Sequence, residues 1–413
     1  MPAGPAPSAA RSPAAAPSGT ASADLGAPAT PGVPGLSWLR TANVARPEEA
    51  FALASGPPAA PAGPGTAGHP GHFPGQAIVD DVVATRDRYV AVGYVAVRGT
   101  WTAIAWTSDE GNLWDLVTID DEPGSFAVDL TSAADGTDRV VAVGRSGGAP
   151  VAWSSSDGRA WTRVTLPTMD SSTWERIVTV VGTDKGFIAG GSAGPELGDR
   201  EARFWHSADG TSWEAVAVTT GFEGAEVVDI VPHDGGYVAI GRLGTGQRST
   251  GSVAWTSRDG LSWSRSDAHA LAEGLVAAVA PGIDDSLVVV GSDLDERAAL
   301  VWESSDGMAW ALAPGEDSRR YHGEKIRMTD VAPLPGGGLV AVGNYVGVQY
   351  GTATSWTSVD GLSWRRAPRY PALEQGEMLA VARGASELIA VGSFRAPDNY
   401  IPTIWRGPLP NGG

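Results

Sequence analysis

Six aromatic residues stand out because they fall outside the repeated pattern of the sequence, in segments of divergent length. They are Trp101, Trp174, Tyr345, Tyr350, Phe394 and Tyr400. Flat rings that reach solvent can stack on sugar rings or anchor a partner protein. Each ring could instead cover a local edge of the core, as large apolar side chains usually do. Taken together, these residues are our candidate ligand-binding set, for a glycan or a protein.

Carboxylates in loop segments offer a second kind of chemistry. Glu316, Asp317, Glu324, Glu374 and Glu377 could supply the pair of carboxyl groups that hydrolyses a glycosidic bond. The reaction depends on the distance between the two carboxyl groups, and the sequence gives no such distance. We therefore assign no catalytic residue.

A third group of acids lies in apolar segments spread through the chain. Asp81, Asp129, Asp229 and Asp330 occupy similar positions in four of these segments. A ring of carboxylates could hold a cation, or each carboxylate could accept backbone N–H bonds from a neighbouring segment. No calcium-loop spacing accompanies them, which favours the second interpretation. We expect no metal site and no cofactor.

Composition narrows the classes of function. The chain has 413 residues and no cysteine, which excludes disulfides and thiol nucleophiles. Its 47 acidic and 29 basic residues give a formal charge of -18, which disfavours nucleic acid as a partner. No apolar run is long enough to insert in a membrane. Serine-nucleophile and phosphate-binding motifs are absent, and His69 and His72 alone are a weak metal signal.

A repeat close to 50 residues long organises the chain. Two tryptophans eight positions apart recur six times, from Trp106 and Trp114 to Trp356 and Trp364. Upstream of each pair, an apolar run such as Tyr237–Gly241 ends in glycine, which is typical of strands buried on both faces. The aligned glycines are 47 to 52 residues apart: Gly93, Gly144, Gly191, Gly241, Gly291, Gly343 and Gly392. This period is that of β-propeller blades, so seven glycines predict seven blades.

Each unit is predicted to contain four short antiparallel strands, which together make a blade. In the fourth unit they are Val227–Val231, Tyr237–Gly241, Ser252–Thr256 and Trp263–Ser266. A Ser-x-Asp-Gly turn joins the third and fourth strands; its Asp can accept N–H bonds inside the turn, and its Gly can take a positive φ. We interpret the acids of these turns as structural: Asp157, Asp209, Asp259, Asp306 and Asp360.

The N-terminal segment is predicted to close the ring. The last unit ends after its third strand at Trp405, so its outer strand is missing there. Gly35–Arg40 matches the outer-strand segment Gly260–Arg265 and can supply that strand. Closure of this kind leaves no open sheet edge at the join. The predicted fold is therefore an all-β, seven-bladed propeller of four-stranded antiparallel blades, with the N-terminal strand as outer strand of the last blade.

Three parts make up the predicted domain organisation. Residues 1–34 are rich in Ala, Pro, Ser and Gly and are interpreted as a disordered tether. Residues 35–407 form the propeller, with an irregular insertion at 46–76 interpreted as slack rather than as a lid. Residues 408–413 form a tail. The tether favours an extracellular or cell-envelope location, although no signal peptide is recognisable; a cytoplasmic location is the alternative.

The two faces of such a ring differ in sequence. Strand direction alternates, so all Asp-Gly turns emerge on one face, the turn face, while the loops after the aligned glycines emerge on the other, the loop face. The loops range from the short Ser146–Pro150 to the long Ser192–Ala202. Constant turns opposite divergent loops are typical of a scaffold that carries a site on its variable side. The six aromatic residues fall on the loop face.

The Ser-x-Asp-Gly-x-x-Trp turns resemble the Asp-box, or bacterial neuraminidase repeat, of sialidases, xyloglucanases, sortilin-type receptors and photosystem assembly factors. In that superfamily the box is structural and lies away from the active face. Blade 1 departs from the pattern with Asp109-Glu110-Gly111, and the turns are one residue shorter than the usual box. Sialidases also carry an arginine triad; Arg145 and Arg242 follow equivalent glycines here, and no third arginine does.

These observations predict a binding protein rather than an enzyme. A complete structural repeat without a catalytic constellation favours a monomeric, non-catalytic scaffold that binds a glycan or protein partner through its loop face. The alternative is a sialidase-like or other glycoside hydrolase that uses loop-face carboxylates.

Overall fold

The computed structural model describes residues 36–41, 75–97, 100–119, 128–136, 138–146, 149–168, 174–195, 198–217, 220–245, 248–266, 269–313, 325–346, 351–395 and 400–409, and every structural statement below concerns these residues. They belong to one compact unit, Val33–Gly413. The expected tether 1–34, and the insertion 46–76 up to residue 74, lie outside the described residues. In the described part of the chain, no helix is long and apolar enough to cross a bilayer.

The described strands form seven blades of four antiparallel strands, which confirms the predicted fold class. Blade 1 contains β2 (Gly75–Ala84), β3 (Tyr89–Val97), β4 (Thr100–Ser108) and β5 (Asp115–Thr118). Blade 2 contains β6 (Val128–Asp135), β7 (Val140–Ser146), β8 (Ala149–Ser155) and β9 (Thr162–Thr165). Blade 3 contains β10 (Trp174–Thr183), β11 (Gly186–Gly194), β12 (Glu201–Ser207) and β13 (Glu214–Ala215).

The remaining blades repeat the same order from the inner to the outer strand. Blade 4 contains β14 (Ala225–His233), β15 (Gly236–Thr245), β16 (Arg248–Ser257) and β17 (Trp263–Arg265). Blade 5 contains β18 (Gly274–Pro281), β19 (Leu287–Asp293), β20 (Ala299–Ser304) and β21 (Ala311–Leu312). Blade 6 contains β22 (Lys325–Pro333), β23 (Leu339–Val346), β24 (Gly351–Ser358) and β25 (Trp364–Arg366). Blade 7 contains β26 (Gly376–Arg383), β27 (Glu387–Arg395), β28 (Tyr400–Pro408) and β1 (Leu39–Thr41), and two short 3-10 helices lie at His269–Glu273 and Pro371–Leu373.

The N-terminal strand closes the ring as predicted. Strand β1 pairs antiparallel with β28, with Leu39 opposite Arg406 and Thr41 opposite Ile404. The preceding Trp38 is 1% exposed, and its indole Nε1 donates to the Ser355 hydroxyl of blade 6 at 2.9 Å. The closing strand is therefore fixed by backbone pairing to blade 7 and by a buried side chain to blade 6.

The turn between the third and fourth strands has the predicted hydrogen bonds. In blade 4, Asp259 Oδ1 accepts the N–H groups of Leu261 at 2.9 Å and Ser262 at 2.8 Å. The Ser257 hydroxyl accepts the Gly260 N–H at 2.9 Å, and Gly260 has φ 74°. A positive φ strains any residue with a side chain, so this position requires glycine. The turn residues thus satisfy their own backbone and fix the start of the outer strand.

Buried tryptophans fill the space between blades. The third-strand tryptophans are at most 2% exposed: Trp106, Trp153, Trp205, Trp255, Trp302, Trp356 and Trp405. Several of them donate the indole N–H to a carbonyl in the link from the preceding blade, as Trp255 does to Gly221 at 3.2 Å. An indole with both its apolar surface and its N–H satisfied is a strong anchor. The repeated tryptophan therefore sets the spacing of the blades and leaves both faces of the ring to loops.

Candidate functional site

Trp101 lies on the loop face, where its ring contacts two other residues. The ring stacks on Tyr94, with centroids 4.6 Å apart and an interplanar angle of 18°. The guanidinium carbon of Arg145 from blade 2 lies 5.9 Å from the Trp101 ring centroid. Stacking and cation–π contacts of this kind hold an aromatic side chain in place. The Trp101 ring thus already has an aromatic and a cationic contact within the protein.

Tyr345 is also engaged by its neighbours. Its side chain is 6% exposed, and the guanidinium carbon of Arg369 lies 4.2 Å from its ring centroid. It packs in the core between blades 5 and 6. Tyr345 is therefore positioned as a core residue. Tyr350, another candidate of the same blade, lies outside the described residues.

Phe394 and Tyr400 belong to blade 7 and each contact an arginine. The guanidinium carbon of Arg40 lies 4.4 Å from the Phe394 ring centroid, and that of Arg395 lies 6.0 Å from the Tyr400 centroid. Arg395 and Tyr400 face each other across β27 and β28. Both rings are only partly exposed. A sugar or peptide would have to share these rings with the guanidinium groups.

Trp174 is the most accessible of the described candidates. It begins the inner strand β10 on the loop face, and half of its side chain, 50%, is exposed. The next residue, Glu175, is buried at 2% exposure. The structure therefore distributes the five described aromatic candidates over several blades, with Trp174 offering the largest open surface.

Charged side chains from blades 3 to 6 form a second feature of the loop face. Glu226 of blade 4 pairs with Arg176 at 2.8 Å and Arg200 at 2.7 Å, both from blade 3. Glu296, in the loop after β19 of blade 5, pairs with two side chains of blade 6. Its carboxylate lies 3.0 Å from the Lys325 ammonium and 3.2 Å from the less exposed Arg327 guanidinium. Ion pairs that cross from blade to blade organise the loop ends of these strands.

Arg242 completes this group, which we call the arginine cluster: Arg176, Arg200, Arg242, Lys325 and Arg327 with Glu226 and Glu296. Burial lowers the pKa of the Arg242 guanidinium, and the positive charge of Arg327 lowers it further, while Glu226 and Glu296 raise it. An arginine keeps its charge under such conditions. Five cations face two carboxylates here, so the cluster is locally cationic in a chain of formal charge -18.

The guanidinium of Arg242 is fixed at one of its three nitrogens. Its Nε donates to the Val276 carbonyl of blade 5 at 2.7 Å, which fixes the guanidinium group. Within the described residues, no acceptor forms a hydrogen bond with its two terminal amino groups. These two groups form the planar fork that matches a carboxylate. Arg242 is therefore a charged donor that is fixed through Nε and whose two terminal amino groups have no hydrogen-bond partner within the described residues.

Sequence reasoning did not identify this cluster, although part of the signal was visible. Arg145 and Arg242 follow equivalent glycines, and no third aligned glycine is followed by an arginine. Arg176 and Arg327 instead stand on inner strands, opposite Ser192 and Asn344 at the same level of their blades. Strand register, which the sequence does not give, brings the arginines together.

Glu296, a carboxylate of the loop face, does not have the raised pKa of a general acid. Burial alone would raise the pKa of Glu296, but hydrogen bonds and positive charge from Lys325 and Arg327 lower it below the usual range. A glycosidase acid needs a raised pKa. Glu374 and Glu377 lie near the loop face at the start of blade 7. The other predicted loop acids, Glu316, Asp317 and Glu324, lie outside the described residues.

The described carboxylates of the inner strands accept backbone N–H bonds, the interpretation that the sequence analysis favoured. Asp229 directly follows a bulge in β14. Its Oδ1 accepts the Ile230 N–H at 2.8 Å and the Thr179 hydroxyl at 3.3 Å, and its Oδ2 accepts the Val279 N–H of blade 5 at 2.8 Å. One carboxylate thus joins three consecutive blades.

Asp81 and Asp330 make the same inter-blade contact. Asp81 Oδ2 accepts the Ala133 N–H of blade 2 at 2.9 Å, and Asp330 Oδ2 accepts the Val381 N–H of blade 7 at 2.7 Å. The described residues include no group of three or more His, Cys, Asp or Glu side chains able to hold a metal ion. These acids act as clamps between blades.

Burial raises the pKa of two of these clamps. The pKa of Asp229 rises to about 7, first because it is buried and then because of the charge of Asp81, while its N–H bonds act in the opposite direction. Burial and the charges of Asp81 and Asp229 also raise the pKa of Asp330 well above its usual value. The three acids therefore share one low-dielectric region at the ring centre.

Asp129 does not occupy the position predicted for it. It pairs with Arg145, whereas the residue of blade 2 that follows the bulge, as Asp81 does in blade 1, is Ser132. The side chain of Asp129 lies outside the described residues. All seven inner strands carry a bulge at this level, so the bulge does not set blade 2 apart. The prediction of equivalent positions was wrong because Asp129 lies 15 residues before its aligned glycine, Gly144, whereas Asp81 lies 12 residues before Gly93.

A cleft of about 370 Å³ lies on the turn face between blades 7 and 1. The carboxylate Oε2 of Glu387 accepts the Nε–H of Arg406 at 2.7 Å within it. Burial raises the pKa of the Tyr89 hydroxyl, Glu387 raises it further, and Arg406 lowers it. The carboxylate is held by its arginine, so the cleft contains a structural ion pair at the ring closure.

No protein-family model matches the chain, and no curated protein matches it in sequence. Solved structures do match. A structure described as YCF48 bound to D1 peptide has 17% identity and a TM-score of 0.50, covering 81% of this chain and 94% of that one. A protein of unknown function from Dyadobacter fermentans has 13% identity and a TM-score of 0.49, covering 81% and 95%. Trypanosoma rangeli sialidase has 14% identity and a TM-score of 0.47, covering 81% and 55%. The likeness to YCF48 shows a shared propeller fold.

Proposed function

We propose that the protein is a non-catalytic binding module whose loop face holds a segment of a partner polypeptide. The observation that carries this proposal is Arg242, a largely buried guanidinium that is fixed through Nε and open at its two terminal amino groups. A carboxylate of the partner, on a side chain or at a chain end, would accept two parallel hydrogen bonds from it. Partial burial strengthens such a charged contact.

Two further observations favour a polypeptide over a glycan. Of the six candidate aromatic residues, Trp101, Phe394 and Tyr400 already contact arginines within the protein, which leaves less open ring surface for stacking on sugars. The structure of similar fold, YCF48, is described as bound to a peptide. Trp174, half exposed on the same face, would pack against an apolar residue of the bound segment.

The expected setting of the module forms part of the same proposal. We infer an extracellular or cell-envelope location, a monomeric state and no nucleic-acid partner, given the formal charge of -18. Cell fractionation and sedimentation of the purified protein would test the location and the monomeric state.

The proposal is tested by measuring the affinity of an acidic peptide with a free terminal carboxylate for the full chain. Arg242→Ala should weaken binding about tenfold or more, since it removes a charged, two-bond contact. Arg242→Lys should weaken it nearly as much, because lysine keeps the charge but loses the fork. Arg258→Ala, an exposed arginine on the turn face, is the control and should leave binding unchanged.

Three results would overturn the proposal. Equal affinity for wild type and Arg242→Ala, with both proteins folded, would remove the arginine as the contact. Binding of neutral glycans that Trp174→Ala abolishes and Arg242→Ala does not would replace the polypeptide by a sugar. Turnover of a fluorogenic sialoside or other glycoside by the wild type, lost on replacing Glu377, would instead support the hydrolase alternative.

A further inference from the structure

The turn face carries exposed apolar side chains in three neighbouring blades. The residue after the turn glycine is polar in blades 1 to 3 and apolar in blades 4 to 6: Asn112, Arg159 and Thr211, then Leu261, Met308 and Leu362. Leu261 is 42% exposed and Met308 is 55% exposed. Val359, earlier in the blade 6 turn, is 50% exposed. Single exposed apolar residues are common on proteins. Here, however, the residue after the turn glycine is apolar in three consecutive blades and polar in the three before them, which is a pattern.

These turns adjoin one another in space. Gly307 of the blade 5 turn packs against the Val238 side chain of blade 4. Gly361 of the blade 6 turn packs in the same way against Val288 of blade 5. Each turn therefore lies over the second strand of the preceding blade, which places the exposed tips of blades 4, 5 and 6 side by side. We call this arc of the turn face the apolar arc and define it by Leu261, Met308 and Val359.

Acidic side chains surround the apolar arc. The turns of blades 4 to 6 carry six carboxylates: Asp234, Asp259, Asp284, Asp285, Asp306 and Asp360. Arg258 is the one basic residue in these described turns. This excess of negative charge beside apolar side chains attracts a positively charged partner.

The turn acids remain charged and keep one oxygen available. N–H bonds from Leu261 and Ser262 lower the pKa of Asp259, and those from Ala309 and Met308 lower the pKa of Asp306. These bonds use Oδ1. Within the described residues, no donor bonds to Oδ2 of Asp259 or Asp306. Each turn thus offers a fixed carboxylate oxygen next to an apolar tip.

We infer that the apolar arc is a docking surface for a cationic, amphipathic segment of another polypeptide. Its apolar side chains would pack on Leu261, Met308 and Val359, and its lysines or arginines would pair with the surrounding carboxylates. A metal ion or a polyamine would engage the acids and leave the apolar tips uncovered, so the combination indicates a polypeptide. The surface lies on the opposite side of the ring from Arg242 and does not depend on the function proposed there.

The test measures binding of three synthetic helical peptides of about 18 residues, five turns, to the full chain. One combines leucine and lysine at amphipathic spacing, the second replaces leucine by serine, and the third replaces lysine by glutamate. The leucine–lysine peptide should bind at least about tenfold more tightly than either control, because only it offers both apolar area and positive charge. Affinities are compared at two salt concentrations to separate screened charge from apolar contact.

Variants place the site on the arc. The double variant Leu261→Ser, Met308→Ser should weaken the leucine–lysine peptide about tenfold. Leu113→Ser is the matched control, because Leu113 is 81% exposed on the turn of blade 1, outside the arc, and should have no effect. Arg242→Ala should also have no effect, which separates this surface from the loop face. All these side chains are exposed apart from Arg242, and a melting curve for each variant confirms the fold.

Any of three outcomes would overturn the inference. The leucine–lysine peptide could fail to bind the wild type. The serine–lysine peptide could bind as tightly as the leucine–lysine peptide, which would reduce the surface to a non-specific anionic patch. The double variant could bind like the wild type, or Leu113→Ser could weaken binding equally, and either result would remove the arc as the site.

Discussion

Aspartates of the turns and aspartates of the ring centre make the same hydrogen bonds with opposite electrostatic results. Asp209 in the blade 3 turn accepts the N–H groups of Thr211 and Ser212 at 2.8 and 2.7 Å, and its pKa falls to about 2. Asp229 accepts two N–H groups of Ile230 and Val279, both at 2.8 Å, and its pKa rises to about 7.

The difference lies in the surroundings of the carboxylate. Each N–H bond stabilises the charged form in both places. Asp209 is largely exposed to water, so burial opposes these bonds less than the bonds stabilise the charge. Asp229 is buried and shares the ring centre with Asp81, so burial and repulsion outweigh three hydrogen bonds. One residue type therefore serves as a charged surface turn in one place and as a protonatable clamp in the other.

Removing the central clamp should have the largest effect. Asp229→Ala leaves two N–H groups without an acceptor between blades 4 and 5, which should cost about 2–3 kcal/mol of unfolding free energy. Urea unfolding at neutral pH measures it. Asp295→Ala, an exposed aspartate of blade 5, is the control and should change stability by less than about 0.5 kcal/mol. Equal effects of both variants would contradict the clamp.

The pH dependence of stability should come next in size. Between pH 4 and pH 7 the folded protein holds a proton on Asp229 that the unfolded chain has lost, because the folded pKa is about 7. This contribution is complete below about pH 4 and disappears as the pH rises through 7. The free energy of unfolding, measured by urea titration, should therefore fall by about 2 kcal/mol or slightly more from about pH 5 to about pH 8.

Asp229→Asn identifies the source of that dependence. The variant should show a smaller slope than the wild type over the same range, with the remainder due to Asp330, whose pKa is raised in the same direction. An unchanged slope would mean that neither the burial nor the neighbouring charge of Asp229 governs the titration.

A turn aspartate should matter less. Asp209→Ala removes the acceptor for two N–H groups that water can also reach, so we expect a loss of about 1 kcal/mol at neutral pH. The folded pKa of about 2 lies below the unfolded one, so this contribution is present above about pH 4 and is lost as the pH falls toward 2. Asp184→Ala, on the neighbouring hairpin of blade 3, is the control. A loss that grows as the pH falls would contradict this assignment.

The smallest effect should be a gain in blade 1. Glu110 stands where other turns have Asp, and its Oε2 accepts the Asn112 side-chain amide at 3.3 Å instead of the turn N–H groups. The turn is otherwise alike, with the Ser108 hydroxyl accepting the Gly111 N–H at 2.8 Å. Glu110→Asp should add about 0.5 kcal/mol by restoring those bonds. Glu110→Gln should add nothing, and a gain from Glu110→Gln without one from Glu110→Asp would point to charge rather than geometry.

The fold could be predicted from the sequence because its determinants are local and repeated. The spacing of Trp255 and Trp263, the glycine that ends each second strand and the Asp-Gly turn all recur in register. Closure by the N-terminus followed from matching Gly35–Arg40 to an outer strand, and the pairing of Leu39 with Arg406 confirms it. A repeat supplies the same information several times, so a departure in one blade does not hide the pattern.

The candidate site was only partly predictable because it depends on contacts between blades. Trp101 stands out in the sequence, but its contacts depend on the fold. Tyr94 lies on the adjacent strand of blade 1, and Arg145 comes from blade 2. The arginine cluster joins residues as distant in sequence as Arg176 and Arg327, and no local pattern relates them. Asp129 was misplaced by three positions because the apolar runs alone did not fix its distance from the aligned glycine, and the strand register shows Ser132 in the position of Asp81.

The closing strand has a consequence for how the protein is made. Strand β1 is among the first structured parts to leave the ribosome, yet its partner β28 is synthesised after six blades. Until then Trp38 has neither β28 beside it nor the Ser355 hydroxyl to bond. The nascent chain therefore carries an unpaired, aromatic edge through most of translation, when such segments are prone to mispairing. A pause in synthesis before Arg406 would expose that edge for longer. The ring can close only after the last blade has been synthesised.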